Sequence, residues 1–194
     1  MEENKLSDYI RIYDNVFGNK KNKVLSKLLK NNQFSFQEGK VFKSNNELVT
    51  DKEIRSTKIF GLRNLNHDDN TVIHYANLFA SCFHHYMEKY SKENNTNSQS
   101  KIIDIQILKY EVGGFYKSHV DSGFKTPRTL SFIYLVNDDY EGGELIFNLP
   151  QNNEIIKIPP KKDILLIWPS NFLYPHKVEP VIKGVKFAVV SWAL

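Results

Sequence analysis

The sequence has very little cysteine: Cys82 is the only one among 194 residues. An intramolecular disulfide is therefore excluded, and a reducing, cytoplasmic location is the expectation. The first residues after Met1 are acidic and polar and are not followed by an apolar stretch, so no signal peptide is expected.

Long apolar runs and a strong excess of one charge are also missing. No run approaches the length that spans a bilayer, so no membrane association is expected. Lys and Arg (26) exceed Asp and Glu (22) by only +4, which is too small an excess to indicate nucleic acid as a partner. The length and the 41% hydrophobic content fit one ordinary globular domain, and nothing in the sequence specifies an oligomeric state.

The first hundred residues predict short strands and two amphipathic helices. Residues 8–17 alternate apolar and polar side chains, as a half-buried strand does, and residues 34–43 and 56–62 are further short strands. Residues 20–30 place leucines at helical spacing among lysines, which indicates a surface helix with a solvated basic face. Residues 68–90 repeat apolar side chains every three or four positions, which predicts a long helix packed on the core.

The helix over 68–90 has a candidate cap at its start and a polar segment at its end. Asp68 or Asp69 could accept a hydrogen bond from the first free backbone N–H groups. Residues 91–100 are rich in Asn, Ser and Lys and predict an exposed loop.

From residue 101 onwards, short β-rich runs follow one another, separated by glycine and proline turns. The runs cover residues 102–110, 116–121, 129–136, 144–148, 154–158, 163–168, 176–182 and 185–193. Closely spaced strands after a helical section predict a mainly β fold with supporting helices, of the α+β class, arranged as a sandwich or barrel. We expect a single domain over 1–194, in which 1–100 supports a β core formed by 101–194.

Three side chains in the β-rich part could bind one metal ion. His119 and Asp121 are two positions apart, so in a strand both would point to the same face. His176 lies at the start of a later strand, 57 residues beyond His119, which leaves enough chain for it to return beside the pair. The other histidines, at positions 67, 74, 84 and 85, lie in a polar turn or on the long helix and are expected to be solvated.

Two histidines and one carboxylate with open coordination positions form the facial triad of non-haem iron(II) oxygenases. A zinc site with the same ligands is also chemically possible, and the ligands alone do not separate the two metals. Lys186 starts the largely apolar strand face that continues through Ala188 and Trp192. A buried lysine there would need an anionic partner, such as a dicarboxylate, whereas a lysine at the strand end could equally keep its ammonium group in water.

Three stretches of the sequence resemble the prolyl 4-hydroxylase-like 2-oxoglutarate oxygenases. They are Leu-Lys-Tyr-Glu-Val-Gly-Gly-Phe-Tyr-Lys-Ser-His-Val-Asp over 108–121, Glu-Gly-Gly-Glu-Leu over 141–145, and Pro-His-Lys-Val-Glu-Pro-Val-Ile-Lys-Gly-Val-Lys-Phe-Ala-Val-Val-Ser-Trp over 175–192. The resemblance implies a double-stranded β-helix, or jelly roll, packed against N-terminal helices. It also implies that His119, Asp121 and His176 bind iron, and that Lys186 pairs with the distal carboxylate of 2-oxoglutarate.

The resemblance extends to the surroundings of the iron site. It implies that Tyr110 and Trp192 lie against the co-substrate, and that Tyr116 and Arg128 lie near the entrance for the substrate. Some relatives hold the distal carboxylate with a tyrosine on the strand at 129–136. Two alignments of that strand place either Tyr134 or Leu135 at the position of this tyrosine. Because side chains alternate along a strand, the two residues cannot both face the pocket. Tyr134 is the candidate for the hydrogen bond to the distal carboxylate.

The activity implied by the resemblance is hydroxylation of an unactivated C–H bond with release of succinate and CO2. The expected cofactor is iron(II), with 2-oxoglutarate and O2 as co-substrates and ascorbate as the reductant. The expected substrate is a prolyl residue in a protein or peptide. The alternatives are the same chemistry on a methylated nucleic-acid base, a lysyl residue or a small molecule, and a non-catalytic jelly-roll module that holds a metal.

Overall fold

The protein's structure, a computed structural model, describes residues 5–31, 34–42, 47–62, 69–96 and 100–194. Within these ranges the chain forms α1 (Asn19–Lys30), α2 (Asn70–Glu93), and 3-10 helices at Leu6–Tyr9 and Gln151–Asn153. The strands, in chain order, are β1 (Arg11–Asp14), β2 (Gln37–Glu38), β3 (Val41–Phe42), β4 (Leu48–Val49), β5 (Arg55–Ser56), β6 (Lys58–Gly61), β7 (Ile102–Tyr110), β8 (Phe115–His119), β9 (Leu130–Leu135), β10 (Glu141–Gly142), β11 (Leu145–Leu149), β12 (Glu154–Ile158), β13 (Ile164–Pro169), β14 (His176–Val178), β15 (Val181–Lys183) and β16 (Lys186–Ala193).

Two antiparallel sheets dominate the described residues. The larger has seven strands in the order β1-β13-β9-β16-β7-β6-β2, and the smaller has five in the order β12-β11-β14-β8-β5. Two short ribbons, β10-β15 and β3-β4, complete the pairing. Because strands close in sequence are distributed over both sheets, the chain crosses repeatedly between them. The prediction of a mainly β fold with supporting helices is confirmed.

The larger sheet separates two hydrophobic cores, and β9 shows how. Leu130, Phe132 and Tyr134 belong to the core beneath the helices, whereas Ile133 and Leu135 belong to the core between the two sheets. Successive side chains of a strand point to opposite faces, so one buried strand serves both cores. All six of its residues are therefore buried.

Helix α2 packs one face on the larger sheet, as the spacing of its apolar residues predicts. Phe79 and Phe83 are fully buried, while His84 and His85 on the other side are exposed. The Asp69 side chain caps the helix by accepting a hydrogen bond from the Thr71 backbone N–H at 2.7 Å. None of the helices in the described part of the chain has both the length and the apolar character that crossing a membrane requires.

Several predicted boundaries are wrong for identifiable reasons. α2 continues to Glu93 instead of ending at residue 90, because Tyr90 and Ser91 are still buried. The strand predicted over 8–17 is limited to β1, because a 3-10 turn occupies the residues before it. The single strand predicted over 34–43 contains two short strands, β2 and β3, and β4 was not predicted. Asp68 and His67 lie outside the described residues.

Phe79 offers a test of the core beneath the helices. Its ring packs against Phe17, Phe83 and Tyr134 with centroid distances of 5.3, 5.6 and 5.6 Å. Phe79→Ala should therefore lower the free energy of unfolding by about 3–5 kcal/mol, because it leaves a cavity among these rings. Ile73→Ala, at a position 43% exposed on the same helix, is the control for lost helix contacts. Equal losses in urea titrations of the two variants would contradict this description of the core.

Candidate metal centre

The three proposed metal ligands meet where β8 and β14 pair. His119 and His176 are direct partners across the two antiparallel strands. Asp121 lies between them, with its Oδ1 at 3.6 Å from His119 Nε2 and its Oδ2 at 3.5 Å from His176 Nε2. One ligand atom from each of the three residues lies within 4.8 Å of the others. A single cation could therefore contact all three side chains.

Both histidines are oriented by the same local hydrogen bond. His119 Nδ1 lies 2.9 Å from the Lys117 carbonyl oxygen, and His176 Nδ1 lies 3.0 Å from the Tyr174 carbonyl oxygen. A neutral imidazole that donates from Nδ1 presents the lone pair of Nε2, which is the arrangement of metal-binding histidines. Burial, followed by the neighbouring His176, lowers the pKa of His119 well below its usual value. His119 is therefore neutral near pH 7, as a metal ligand must be.

Asp121 is oriented by Ser131 on β9, which in turn contacts Ser170 directly after β13. Ser131 Oγ donates to Asp121 Oδ2 at 2.6 Å, and Ser131 Oγ and Ser170 Oγ are 2.7 Å apart. Burial would raise the pKa of the Asp121 carboxyl, but the two imidazoles and the Ser131 hydroxyl offset it and keep that pKa below its usual value. The carboxyl is therefore ionised and fixed in orientation before any ligand binds.

The backbone at this point differs from the prediction. β8 ends at His119, so Asp121 lies in the bend after the strand rather than within it. Ser131 and Ser170 were not predicted as site residues from the sequence. The available signal for Ser131 was its small polar side chain on a buried strand whose other residues are aliphatic or aromatic.

Lys186 is fully buried, and its ammonium group has a backbone carbonyl as a partner but no carboxylate within ion-pair distance among the described residues. Its Nζ donates to the Gly143 carbonyl oxygen at 2.7 Å and lies 5.4 Å from the centre of the Tyr110 ring, and Tyr110 is its direct partner across β7 and β16. The alternative in which this ammonium group is in water is therefore wrong. Burial lowers the pKa of Lys186 to about 7, although Glu144 opposes the shift. Burial also raises the pKa of Tyr110 to about 12.

Aromatic side chains line the groove that contains the three ligands. The Tyr116 ring stacks on His119 at 3.7 Å, and the Arg128 guanidinium lies 3.7 Å from the centre of the Trp192 ring. These residues and Tyr110 line a groove of about 820 Å³. The structure thus brings Tyr110, Tyr116, Arg128 and Trp192 together around the triad.

Tyr134 is the exception, because its side chain faces the other core. Its hydroxyl donates to Asp163 Oδ1 at 2.8 Å and accepts a hydrogen bond from Asn22 Nδ2 at 2.8 Å. The expectation that Tyr134 contacts a co-substrate is therefore corrected: the alternation of β9 turns it towards α1 and α2. Leu135 occupies the face towards the smaller sheet.

The second half of the chain is similar to known proteins. Residues 105–194 match the model of the 2OG-Fe(II) oxygenase superfamily. A PKHD-type hydroxylase of Synechococcus sp. (strain CC9902) is 38% identical over 96 residues, which cover 47% of this chain and 41% of that protein. Another from Rippkaea orientalis (strain PCC 8801 / RF-1) is 32% identical over 99 residues, covering 47% and 43%. The chain thus spans less than half the length of these relatives, and the resemblance inferred from the motifs is confirmed.

Solved structures share the fold over nearly the whole chain. A prolyl hydroxylase from Trichoplax adhaerens, in complex with a hypoxia inducible factor oxygen degradation domain peptide fragment, has a TM-score of 0.74 and 23% identity, covering 97% of this chain and 84% of that one. A Pseudomonas putida prolyl-4-hydroxylase has a TM-score of 0.70 and 14% identity, covering 95% and 91%. At these identities the similarity establishes the fold, and the predicted jelly roll is confirmed.

The buried Lys186 predicts a specific pH dependence of stability. Its pKa is about 7 in the folded protein, against 10.5 for an ordinary lysine, so between these values the unfolded chain binds the additional proton. The free energy of unfolding of the metal-free protein should therefore rise with pH in this window, by up to about 1.4 kcal/mol per pH unit from this group. Lys186→Met should remove that rise in urea titrations across the window.

Lys109→Met is the matched control, because Lys109 lies on β7 and pairs with Glu111 at 2.8 Å. Lys109→Met should keep the rise of the free energy of unfolding with pH that is due to Lys186. Parallel pH profiles for the parent protein and Lys186→Met would show that the folded lysine titrates normally.

Proposed function

We propose that this chain, whose residues 105–194 match the 2OG-Fe(II) oxygenase superfamily, is an iron(II)- and 2-oxoglutarate-dependent dioxygenase that hydroxylates an unactivated C–H bond. The observation that carries the proposal is the geometry of His119, Asp121 and His176, whose ligand atoms lie within 4.8 Å of one another with both Nδ1 atoms directed at backbone carbonyls. Three protein ligands on one side of a metal leave positions for a co-substrate and O2.

The buried Lys186 favours this proposal over a purely structural metal site. Its ammonium group has a carbonyl partner, Gly143, but no carboxylate within ion-pair distance among the described residues. A buried cation without a counter-ion is costly, and an anionic ligand would relieve that cost. The distal carboxylate of 2-oxoglutarate has the required charge, so the residues present fit both the metal and the co-substrate.

The protein's contribution to the reaction would be to hold and orient. When bound, iron(II) with 2-oxoglutarate and O2 supplies the oxidising chemistry that hydroxylates the substrate and releases succinate and CO2. His119, Asp121 and His176 would hold the metal, and Lys186 would pair with the distal carboxylate beside Tyr110. Tyr116 and Trp192 would restrict where the substrate C–H bond can lie and would exclude water.

We propose a prolyl residue in a protein or peptide as the substrate. The named relatives that share the fold are prolyl hydroxylases, one of them in complex with a peptide fragment. Glu38, Val41 and Leu48 line the same groove as the triad, so a substrate in the groove could also contact residues from β2, β3 and β4. We further propose that residues 1–194 act as one domain, since β1, β2 and β6 belong to the same sheet as β9 and β16. Ascorbate as the reductant and a cytoplasmic location, the latter from the single cysteine, complete the proposal.

Anaerobic titration with iron(II) and 2-oxoglutarate tests the cofactor chemistry directly. The protein should develop a visible metal-to-ligand charge-transfer band, which requires the co-substrate to chelate the bound iron. His176→Ala should abolish the band, because only two protein ligands remain. Lys186→Ala should keep the band but weaken 2-oxoglutarate binding about 10- to 100-fold, through loss of a charge-assisted contact.

His84→Ala, which changes an exposed histidine on α2, is the control and should behave like the parent protein. A folded, metal-loaded protein that shows no band would exclude the dioxygenase and leave a metal-binding jelly-roll module. Unchanged 2-oxoglutarate affinity in Lys186→Ala would mean that the anchor lies elsewhere.

Ser131→Ala tests whether the hydrogen bond to Asp121 supports the metal site. Loss of the 2.6 Å donation should weaken iron(II) affinity about 10- to 100-fold, as expected for a group that orients a metal ligand. Ser191→Ala is matched to it, because Ser191 is a buried serine on neighbouring β16 that donates to the Ile103 carbonyl, away from the triad. Equal affinities of the two variants for iron(II) would remove Ser131 from the site.

A further inference from the structure

Arg55 lines the groove beside Tyr116. It is the strand partner of Tyr116, and its guanidinium lies 4.5 Å from the centre of that ring. Its Nη1 donates to the Lys40 carbonyl at a long 3.5 Å, and its Nε is buried without a partner. A side chain at Gly39 would approach Arg55 Nε to 2.9 Å, so the glycine lets the backbone pack directly against the guanidinium.

Arg128 repeats this arrangement beside Trp192. Its guanidinium lies 3.7 Å from the centre of the Trp192 ring, its Nη1 donates to the Asp121 carbonyl at 3.5 Å, and its Nε is buried without a partner. Burial lowers the pKa of Arg128, while Asp121 and Asp104 oppose that shift from a distance. Among the described residues, no carboxylate lies within ion-pair distance of either guanidinium.

Stacking leaves the edge of a guanidinium free. The aromatic ring covers one face, whereas the N–H groups lie in the guanidinium plane and match the two oxygens of a carboxylate. Both guanidiniums are partly exposed, so their accessible N–H groups could donate charge-assisted hydrogen bonds to an incoming carboxylate. Lys186, on a separate strand pair, is available for the co-substrate, so the anion at the arginines would come from the substrate.

We propose that Arg55 and Arg128 form a paired receptor for carboxylate side chains, and that the substrate is a peptide with acidic residues close to the residue that reacts. Both arginines line the groove together with His119 and Asp121, so carboxylates bound to them would flank the metal position. The part of this inference that concerns the reacting residue rests on the proposed function, whereas recognition of the acidic residues does not.

The lining of the groove favours a peptide with separate carboxylates over a nucleic acid. Glu38 and Asp104 also line the groove and interrupt its positive charge. A continuous phosphate backbone would be repelled at these points, whereas a peptide can place single carboxylates opposite Arg55 and Arg128 and uncharged residues elsewhere.

Peptide binding to the complete protein, loaded anaerobically with iron(II) and 2-oxoglutarate, tests the proposal without turnover. The probes are fluorescent proline-centred 12-residue peptide libraries in two matched sets, with Asp and Glu or with Asn and Gln around the proline. In fluorescence anisotropy the acidic set should bind about tenfold or more tightly than the amide set. Arg55→Gln and Arg128→Gln should each remove most of that difference.

Arg11→Gln is the matched control. Arg11 also has a buried Nε without a partner, but its Nη2 donates to Asn94 Oδ1 at 3.1 Å and it does not line the groove. This variant should keep the preference for acidic peptides. Arg55→Lys and Arg128→Lys keep the charge but lose the paired donors, so each should show an intermediate preference for the acidic peptides. They replace the glutamine variants in the test if either glutamine variant fails to fold.

Equal affinity for the two peptide sets, no binding of either, or an unchanged preference in both groove variants would overturn the proposal. Tighter binding of a single-stranded oligonucleotide than of the acidic peptides would do the same and assign the arginines to phosphate. The charge-transfer band separates the two proposals. A band without acidic preference removes only the receptor, whereas arginine-dependent acidic preference without a band removes only the dioxygenase.

Discussion

The antiparallel pairing of β8 with β14 is the constraint on which the rest of the site depends. It places His119 directly opposite His176, although the two residues are 57 positions apart in the chain. Each imidazole is then oriented by the backbone carbonyl two residues before it in the chain. Asp121 lies outside the strand, in the bend after β8, and this bend places its carboxylate beside the Nε2 atoms of both histidines. A shift of one residue in this pairing would turn one histidine to the other face and destroy the site.

The larger sheet divides two kinds of buried environment. The core beneath the helices contains mostly large apolar and aromatic side chains, and its polar network of Asn22, Tyr134 and Asp163 is satisfied internally. The space between the sheets instead contains the polar groups of the metal centre. Ser131 and Tyr134 illustrate the division, because they belong to the same strand and their hydroxyls act on opposite sides of the sheet. The first supports the proposed metal ligand, and the second ties the sheet to α1.

Among the described residues, no carboxylate lies within ion-pair distance of Lys186, Arg55 or Arg128. Lys186 has a carbonyl partner, and Arg55 and Arg128 are supported by aromatic rings and by long hydrogen bonds. Lys186, which is fully buried, lowers the stability of the ligand-free fold, because desolvation of its charge is not repaid within the protein. Such a cost is expected where ligands bind, because an incoming carboxylate gains more from a cation that is already desolvated and held in place. The same geometry therefore explains both a loss of stability and a capacity to select anionic groups.

Local patterns in the sequence determined the class of fold and the candidate metal ligands. The helical spacing of Val72 to Tyr90, the Asp69 cap and the succession of short strands depend on interactions between near neighbours, which the sequence displays directly. His119 and Asp121 could be paired for the same reason, since they are two positions apart. His176 and Lys186 were identified through motifs, while their burial and their partners were decided only by the pairing of distant strands.

The face of β9 that meets the metal centre was decided by tertiary structure alone. Alternation shows that Tyr134 and Leu135 point to opposite sides, but not which side contains the site, because both faces of this strand are buried and apolar. Arg55 joins the groove only because β5, more than 60 residues before His119, pairs with β8. Contacts of this kind depend on register between distant segments, and no local spacing in one sequence specifies them.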